Sequence, residues 1–106
     1  MILFANSYKK YALNARLSEA RLETDTVDFA KWELIDLYGN VILTKTLTSG
    51  LSIEHSDAMG DGYIFVEILD TDLNYSGEYT QRLSVTNCSG QTSRVAIRGE
   101  KIEVLK

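Results

Sequence analysis

Residues 27–43 read Val-Asp-Phe-Ala-Lys-Trp-Glu-Leu-Ile-Asp-Leu-Tyr-Gly-Asn-Val-Ile-Leu, and this stretch decides the fold class. Ala30, Trp32 and Leu34 alternate with Lys31 and Glu33, the two-residue period of a strand with one buried face. The alternation directs Trp32 into a core. The apolar run breaks at Gly39-Asn40, both of which tolerate positive φ, and resumes from Val41 to Leu47, with Val41, Leu43 and Leu47 on one face. Two alternating runs about such a dipeptide predict a hairpin.

The same period recurs outward from this hairpin. Tyr11, Leu13, Ala15 and Leu17 share a face upstream, and Ser18 to Asp25 between them and the hairpin reads as loop. Downstream, Leu51 and Ile53 form a short strand after the Ser49-Gly50 turn, and Ser56 to Gly62 is a loop. Tyr63 to Leu69 is a strand with Ile64, Val66 and Ile68 on one face and Tyr63, Phe65 and Leu69 on the other. A strand apolar on both faces is central, or has its outer face covered by another chain. Asp70 to Gly77 turns. Tyr79, Leu83 and Val85 then point inward against Thr80, Arg82 and Ser84, with Gln81 breaking the inward row. Asn87-Cys88-Ser89-Gly90 turns again, and strands at Arg94–Arg98 and Ile102–Leu105 flank Gly99, a bulge position. Seven or eight short strands with turn signals between them and no helical period predict an all-β sandwich of two antiparallel sheets.

Composition narrows the function classes. The chain has 106 residues, enough for one domain, with 44% hydrophobic and 25% charged residues. Eleven Lys and Arg against fifteen Asp and Glu give a net charge of -4, which argues against nucleic acid as a partner because phosphate binding needs a basic face. No apolar run is long enough to span a bilayer, and Met1 to Asn6 does not read as a signal peptide. One cysteine excludes an intrachain disulfide and a cysteine-rich zinc site.

Chemistry-bearing residues are sparse. His55 is the single histidine; nothing in the sequence places Ser56 or Asp57 in triad geometry with it, and its neighbours read as loop, so it is expected to be a solvated loop histidine. Cys88 sits in a turn with no adjacent base. No Lys or Arg occurs between Lys45 and Arg82, while Glu54, Asp57, Asp61, Glu67, Asp70, Asp72 and Glu78 do. The spacing of these acids does not match a calcium loop and reads as a solvated acidic face. Gly60-Asp61-Gly62 precedes a strand rather than a helix and is turn chemistry, not a phosphate loop. No catalytic, cofactor-binding or metal residues are assigned, and no small-molecule substrate is expected. The basic residues Lys9, Lys10, Arg16 and Arg21 gather near the N-terminus, polarising the chain. Phe4, Tyr8 and Tyr11 lie close together in the same region.

Four segments carry a resemblance to a known family. They are Trp32 to Leu43, Gly62 to Ile68, Asp70-Thr71-Asp72-Leu73 with Ser76-Gly77-Glu78-Tyr79, and Leu83 to Gly90. From Tyr11 onward the layout resembles the small immunoglobulin-like domains of tailed-bacteriophage virion proteins, which occur in tail, baseplate and head-decoration components. A Gly-x-Tyr opening a sandwich strand is where a tyrosine corner sits, so Gly77 and Tyr79 are assigned to that device. The resemblance makes Trp32 the core tryptophan, without the disulfide that accompanies it in antibody domains. It implies no enzymatic activity and no cofactor.

The expectation is therefore a structural protein of the virion, assembled in the host bacterial cytoplasm. It would bind capsid or tail subunits, or further copies of itself, by apolar burial and strand-edge pairing. A bare single domain points to capsid decoration or cement ahead of a tail or baseplate component. Residues 1–10 are expected to be an N-terminal arm or edge strand and 11–106 the sandwich. Ile2, Phe4, Tyr8, Lys9, Lys10 and Tyr11 are the candidate partner contacts. Trp32, Gly39, Asn40, Gly77 and Tyr79 are the structural positions. A rival reading is a carbohydrate- or host-surface-binding module displaying Tyr38, Tyr63 or Tyr75 at one end of the sandwich.

Overall fold

Alternation in the sequence becomes alternation in burial. The computed structural model describes residues 1–13, 27–55, 62–87 and 93–106. Among these the chain is all-β. Its strands are β1 (Ile2–Phe4), β2 (Lys9–Ala12), β3 (Val27–Ile35), β4 (Val41–Thr46), β5 (Leu51–His55), β6 (Gly62–Ile68), β7 (Gly77–Asn87) and β8 (Ser93–Leu105). They form a five-stranded sheet in the order β1-β8-β7-β3-β4 and a three-stranded sheet in the order β2-β6-β5. The expected strand over Tyr11–Leu17 is present in its first part, in β2 and the bond from Leu13 N–H to Ile64 C=O. Its remainder, the loops at 18–25 and 56–61 and the turn at 88–90 lie outside the described residues.

Ala30, Trp32 and Leu34 are fully buried, as are Val66 and Leu83, and Ile64, Ile68, Val85, Ile102 and Val104 nearly so. Both sheets contribute to this one apolar cluster, which gives the molecule its sandwich-like character. β6 is the central strand of its sheet. Two residues of its outer row are contacted from within the chain: Lys10 lies over the Phe65 ring, 5.5 Å from its centroid, and Tyr8 bonds Glu67.

Three details depart from the sequence reading. First, the larger sheet is not purely antiparallel, because β1 runs parallel to β8 with Ile2 beside Glu103 and Phe4 beside Leu105. No short turn joins these two strands, so no hairpin dictates their relative direction. Second, the β3–β4 turn begins two residues ahead of the Gly39-Asn40 dipeptide. The Asp36 carboxylate accepts hydrogen bonds from Tyr38 N–H and Asn40 N–H, at 2.9 and 2.8 Å, and Asp36 N–H bonds Asn40 C=O. The loop is therefore Leu37-Tyr38-Gly39, and Gly39 alone takes positive φ, at 85°. A three-residue loop closed by a left-handed residue is the usual alternative to a two-residue turn. Third, Gln81 does not merely interrupt the inward row. It is buried, and its carbonyl oxygen accepts from Trp32 Nε1 at 2.9 Å and Tyr11 Oη at 3.2 Å. Its amide nitrogen donates to Glu100 Oε2 at 3.0 Å.

Gly99 is skipped in the β7–β8 register, where Gln81 faces Glu100 and Arg82 faces Arg98, so a bulge sits there. Tyr79 is half-buried against the core, and its ring folds back over Gly77. A Cβ at Gly77 would meet the Tyr79 hydroxyl at 3.3 Å, so the glycine makes room for the ring. The hydroxyl has no hydrogen-bond partner among the described residues, so the upstream backbone bond of a tyrosine corner is absent there.

β4 also holds a buried cation. Lys45, at an inward position opposite Trp32, pairs with Asp72 at 2.6 Å, and the same carboxylate oxygen accepts Leu69 N–H. This pair ties the edge of one sheet to the β6–β7 connection.

Two stability outcomes follow from the polar groups in the core. Gln81→Leu strands two buried donors and is expected to cost roughly 2–5 kcal/mol in urea unfolding, part of which Tyr11→Phe restores. Asp72→Ala leaves a buried ammonium unpaired and is expected to cost about 3–5 kcal/mol, well above the cost of Lys45→Met, by the same measurement.

Candidate interaction surface

The six residues proposed as partner contacts do not form one arm. Residues 2–4 form a strand of the larger sheet and residues 9–12 a strand of the smaller one. The chain crosses between them through Asn6, whose φ is 57° and whose N–H bonds Leu73 C=O. Residues 1–10 thus occupy an edge-strand position rather than projecting away.

Within β1, alternation buries Leu3 and turns out Ile2 and Phe4, which are 50% and 57% exposed. Tyr8 is exposed, and its hydroxyl donates to Glu67 Oε2 at 2.8 Å. That bond, more than any other influence, raises the Tyr8 pKa above its ordinary 10.0. Lys9 and Lys10 are exposed on β2. Tyr11 belongs to the core and cannot be a partner contact, because its side chain fills the space between the sheets and bonds Gln81. Burial, then the nearby charge of Glu100, pushes its hydroxyl well above the usual tyrosine range.

The strand pairings gather the exposed apolar residues. β1 lies beside the end of β8, which pairs with the start of β7, and Thr80 near that start faces Ile35 at the end of β3. One end of the larger sheet therefore carries β1, the β3–β4 turn and the start of β4. Leu37 and Tyr38 at the turn are 72% and 90% exposed, and Met1, Ile2, Phe4, Val41 and Ile42 are also open to solvent. Tyr75, in the connection leading into β7, is exposed at the same end. A groove of about 240 Å³ runs between Met1 and Ile2 on one side and Leu37 on the other, floored by Glu78, Lys101 and Glu103. Sequence reading missed Leu37, because it was counted with the strand. The signal was Asp36, whose carboxylate can bond amides two and four residues on and so begin the turn.

Among the described residues, chemistry-bearing groups are not brought together. No set of three or more His, Cys, Asp or Glu is placed to hold a metal among the described residues. His55 closes β5, with its backbone paired to Gly62, rather than lying in a loop. Cys88, Asp57 and Asp61 lie outside the described residues, as do Arg16 and Arg21.

The turn that presents Leu37 and Tyr38 depends on an ionised carboxylate. The Asn40 N–H, first among several donors, holds the Asp36 carboxyl below its ordinary 3.8. A lowered folded-state pKa stabilises fully above the unfolded value and is lost as pH falls through the folded one. Asp36→Asn, which keeps the acceptor oxygen, is expected to remove that acid-sensitive part. Urea midpoints of the two proteins should converge as pH drops below 3.8.

No protein-family model matches the chain, no curated protein matches it, and no solved structure matches it.

Proposed function

We propose that this chain is a non-enzymatic structural protein of a tailed-bacteriophage virion, an immunoglobulin-like domain that binds other virion subunits. Capsid decoration comes first, ahead of a tail or baseplate position. The observation that carries the reading is the concentration of exposed apolar side chains at one end of the larger sheet, from Ile2 and Phe4 across to Leu37, Tyr38 and Ile42. Exposed apolar side chains gathered around one groove of a small domain mark an interaction site. The strand order supports the immunoglobulin-like part. β3, β7 and β8 lie in one sheet, and β2, β5 and β6 in the other. Trp32 is buried on β3, and Gln81 stands two residues after Tyr79, where an antibody domain has its second cysteine. Binding would proceed by apolar burial and main-chain pairing at open strand edges. In a lattice, many weak copies of one contact sum to a durable attachment.

The rival from another class, a carbohydrate- or host-surface-binding module, has one observation in its favour. Tyr38 and Tyr75 are the two most exposed of the described aromatic residues, and both lie at the same end of the larger sheet. The Tyr63 side chain lies outside the description.

Particles purified from cells that encode the chain separate these readings. The protein is expected to co-sediment with intact particles and to stay with heads when heads and tails are parted. Recovery with tails moves it to the tail or baseplate. Recovery only as free protein, together with glycan-array binding that Tyr38→Ala abolishes, replaces the structural reading with the sugar-binding one.

A further inference from the structure

β1 is lightly held for a strand that reaches the core. It has three residues, Ile2-Leu3-Phe4, and pairs with β8 alone at the rim of the larger sheet. Only Leu3 points inward, where it is buried beside its register partner Val104. Flanking the strand, Met1 C=O accepts Glu103 N–H at 2.9 Å, and Ala5 N–H donates to Leu105 C=O at 2.7 Å. The next strand, β2, belongs to the other sheet, where Lys9 to Ala12 pair with β6 and Tyr11 bonds Gln81. Departure of β1 therefore frees the space that Leu3 fills and bares the end of β8, while β2 keeps its own partners. Such a local opening costs far less than unfolding the domain.

The joint is the crossing at residues 5–8, between β1 and β2. Asn6 stands there with φ 57°, the one non-glycine residue at positive φ among the described residues. Asparagine enters the left-handed region more readily than other side chains, but still at a cost. Its N–H bonds Leu73 C=O, which ties the turn to the β6–β7 connection. A short hinge held in a strained turn favours exchange of the element it carries between copies. Extension relieves the turn, and the exchanged element finds contacts identical to those it left. Concentration decides the balance. A strand on so short a tether is at an effective concentration on the order of millimolar, so a second copy competes when copies are crowded to that degree.

We propose that β1 is an exchangeable strand: in crowded copies of the chain, Ile2–Phe4 leaves its own β8 and pairs with the β8 of a second copy. The site itself selects the occupant, because the register with Glu103–Leu105 and the buried place of Leu3 are already met by this segment within one copy. The exchange is reciprocal, so it closes as a two-fold dimer in which each β8 keeps a strand. Fully extended, residues 5–8 reach no more than about 14 Å. The two copies therefore abut at the end that carries the groove, with Met1 and Ile2 of one beside Leu37 of the other. This pairing of copies does not depend on a place in a virion.

An equimolar mixture of isotopically labelled and unlabelled full-length chain tests it. At about 1 mM, after gentle warming and recooling, isotope-filtered spectra are expected to show the Leu3 methyls of one copy against the Val104 methyls of the other, and the signal should vanish on about hundredfold dilution. Two variants that keep the N–H of residue 6 act on the hinge. Asn6→Val, disfavoured in the left-handed region, should move the monomer–dimer midpoint to lower concentration by about tenfold per hinge, and Asn6→Gly should move it higher. A Leu3–Val104 contact confined to one copy, a chain still monomeric at about 1 mM, or equal midpoints for the two variants would overturn the proposal. No particle enters this experiment, so neither result bears on the virion reading.

Discussion

One buried amide ties the two sheets together. Gln81 on β7 accepts from Trp32 on the neighbouring strand of its own sheet and from Tyr11 on the opposite sheet, and donates to Glu100 beside it. In antibody domains a disulfide crosses the sandwich next to the core tryptophan. Here the crossing is made by hydrogen bonds, which any redox state permits. The arrangement works because it is complete: no buried side-chain nitrogen or oxygen among the described residues lacks a partner. An apolar core without polar partners can slide; one that must satisfy an indole, a phenol and an amide at the same point has a single register.

The second fixed point, Lys45 with Asp72, acts at the periphery. It draws the connection leading into β7 against the edge of the larger sheet. That connection also holds the N-terminal segment, through the bond from Asn6 N–H to Leu73 C=O, and Leu73 is itself in the core. The apolar end of the sheet is thus framed by polar contacts. The side chains it exposes are those left over once the core, the turn and the ion pair are satisfied.

Long, regular alternation was legible in the sequence. Ala30, Trp32 and Leu34 point inward as their period requires, and so do Ile64, Val66 and Ile68. These strands lie inside their sheets, where one face meets the core and the pattern has length enough to declare itself. Legibility failed where a polar residue sits at an inward position. Gln81 and Lys45 each occupy a core site by virtue of partners distant in sequence, and no local pattern announces a partner 27 or 70 residues away. It failed again at β1, where three residues carry too little period to be told from a tail and the pairing strand lies at the other end of the chain. The candidate surface was half legible for the same reason. Ile2 and Phe4 were found by composition, while Leu37 joins them only through the groove.

The parallel contact of Ile2–Phe4 with Glu103–Leu105 has a consequence for how the molecule is made. A ribosome emits β1 early and its hydrogen-bonding mate among the latest residues of the sequence. In the interval the seat of Leu3 is vacant and the sheet is one strand narrower. Contacts that close so long a loop form late and cost the most chain entropy. Completion of the larger sheet therefore waits for β8 to emerge, and a nascent chain that stops before β8 lacks the strand against which Ile2–Phe4 pairs.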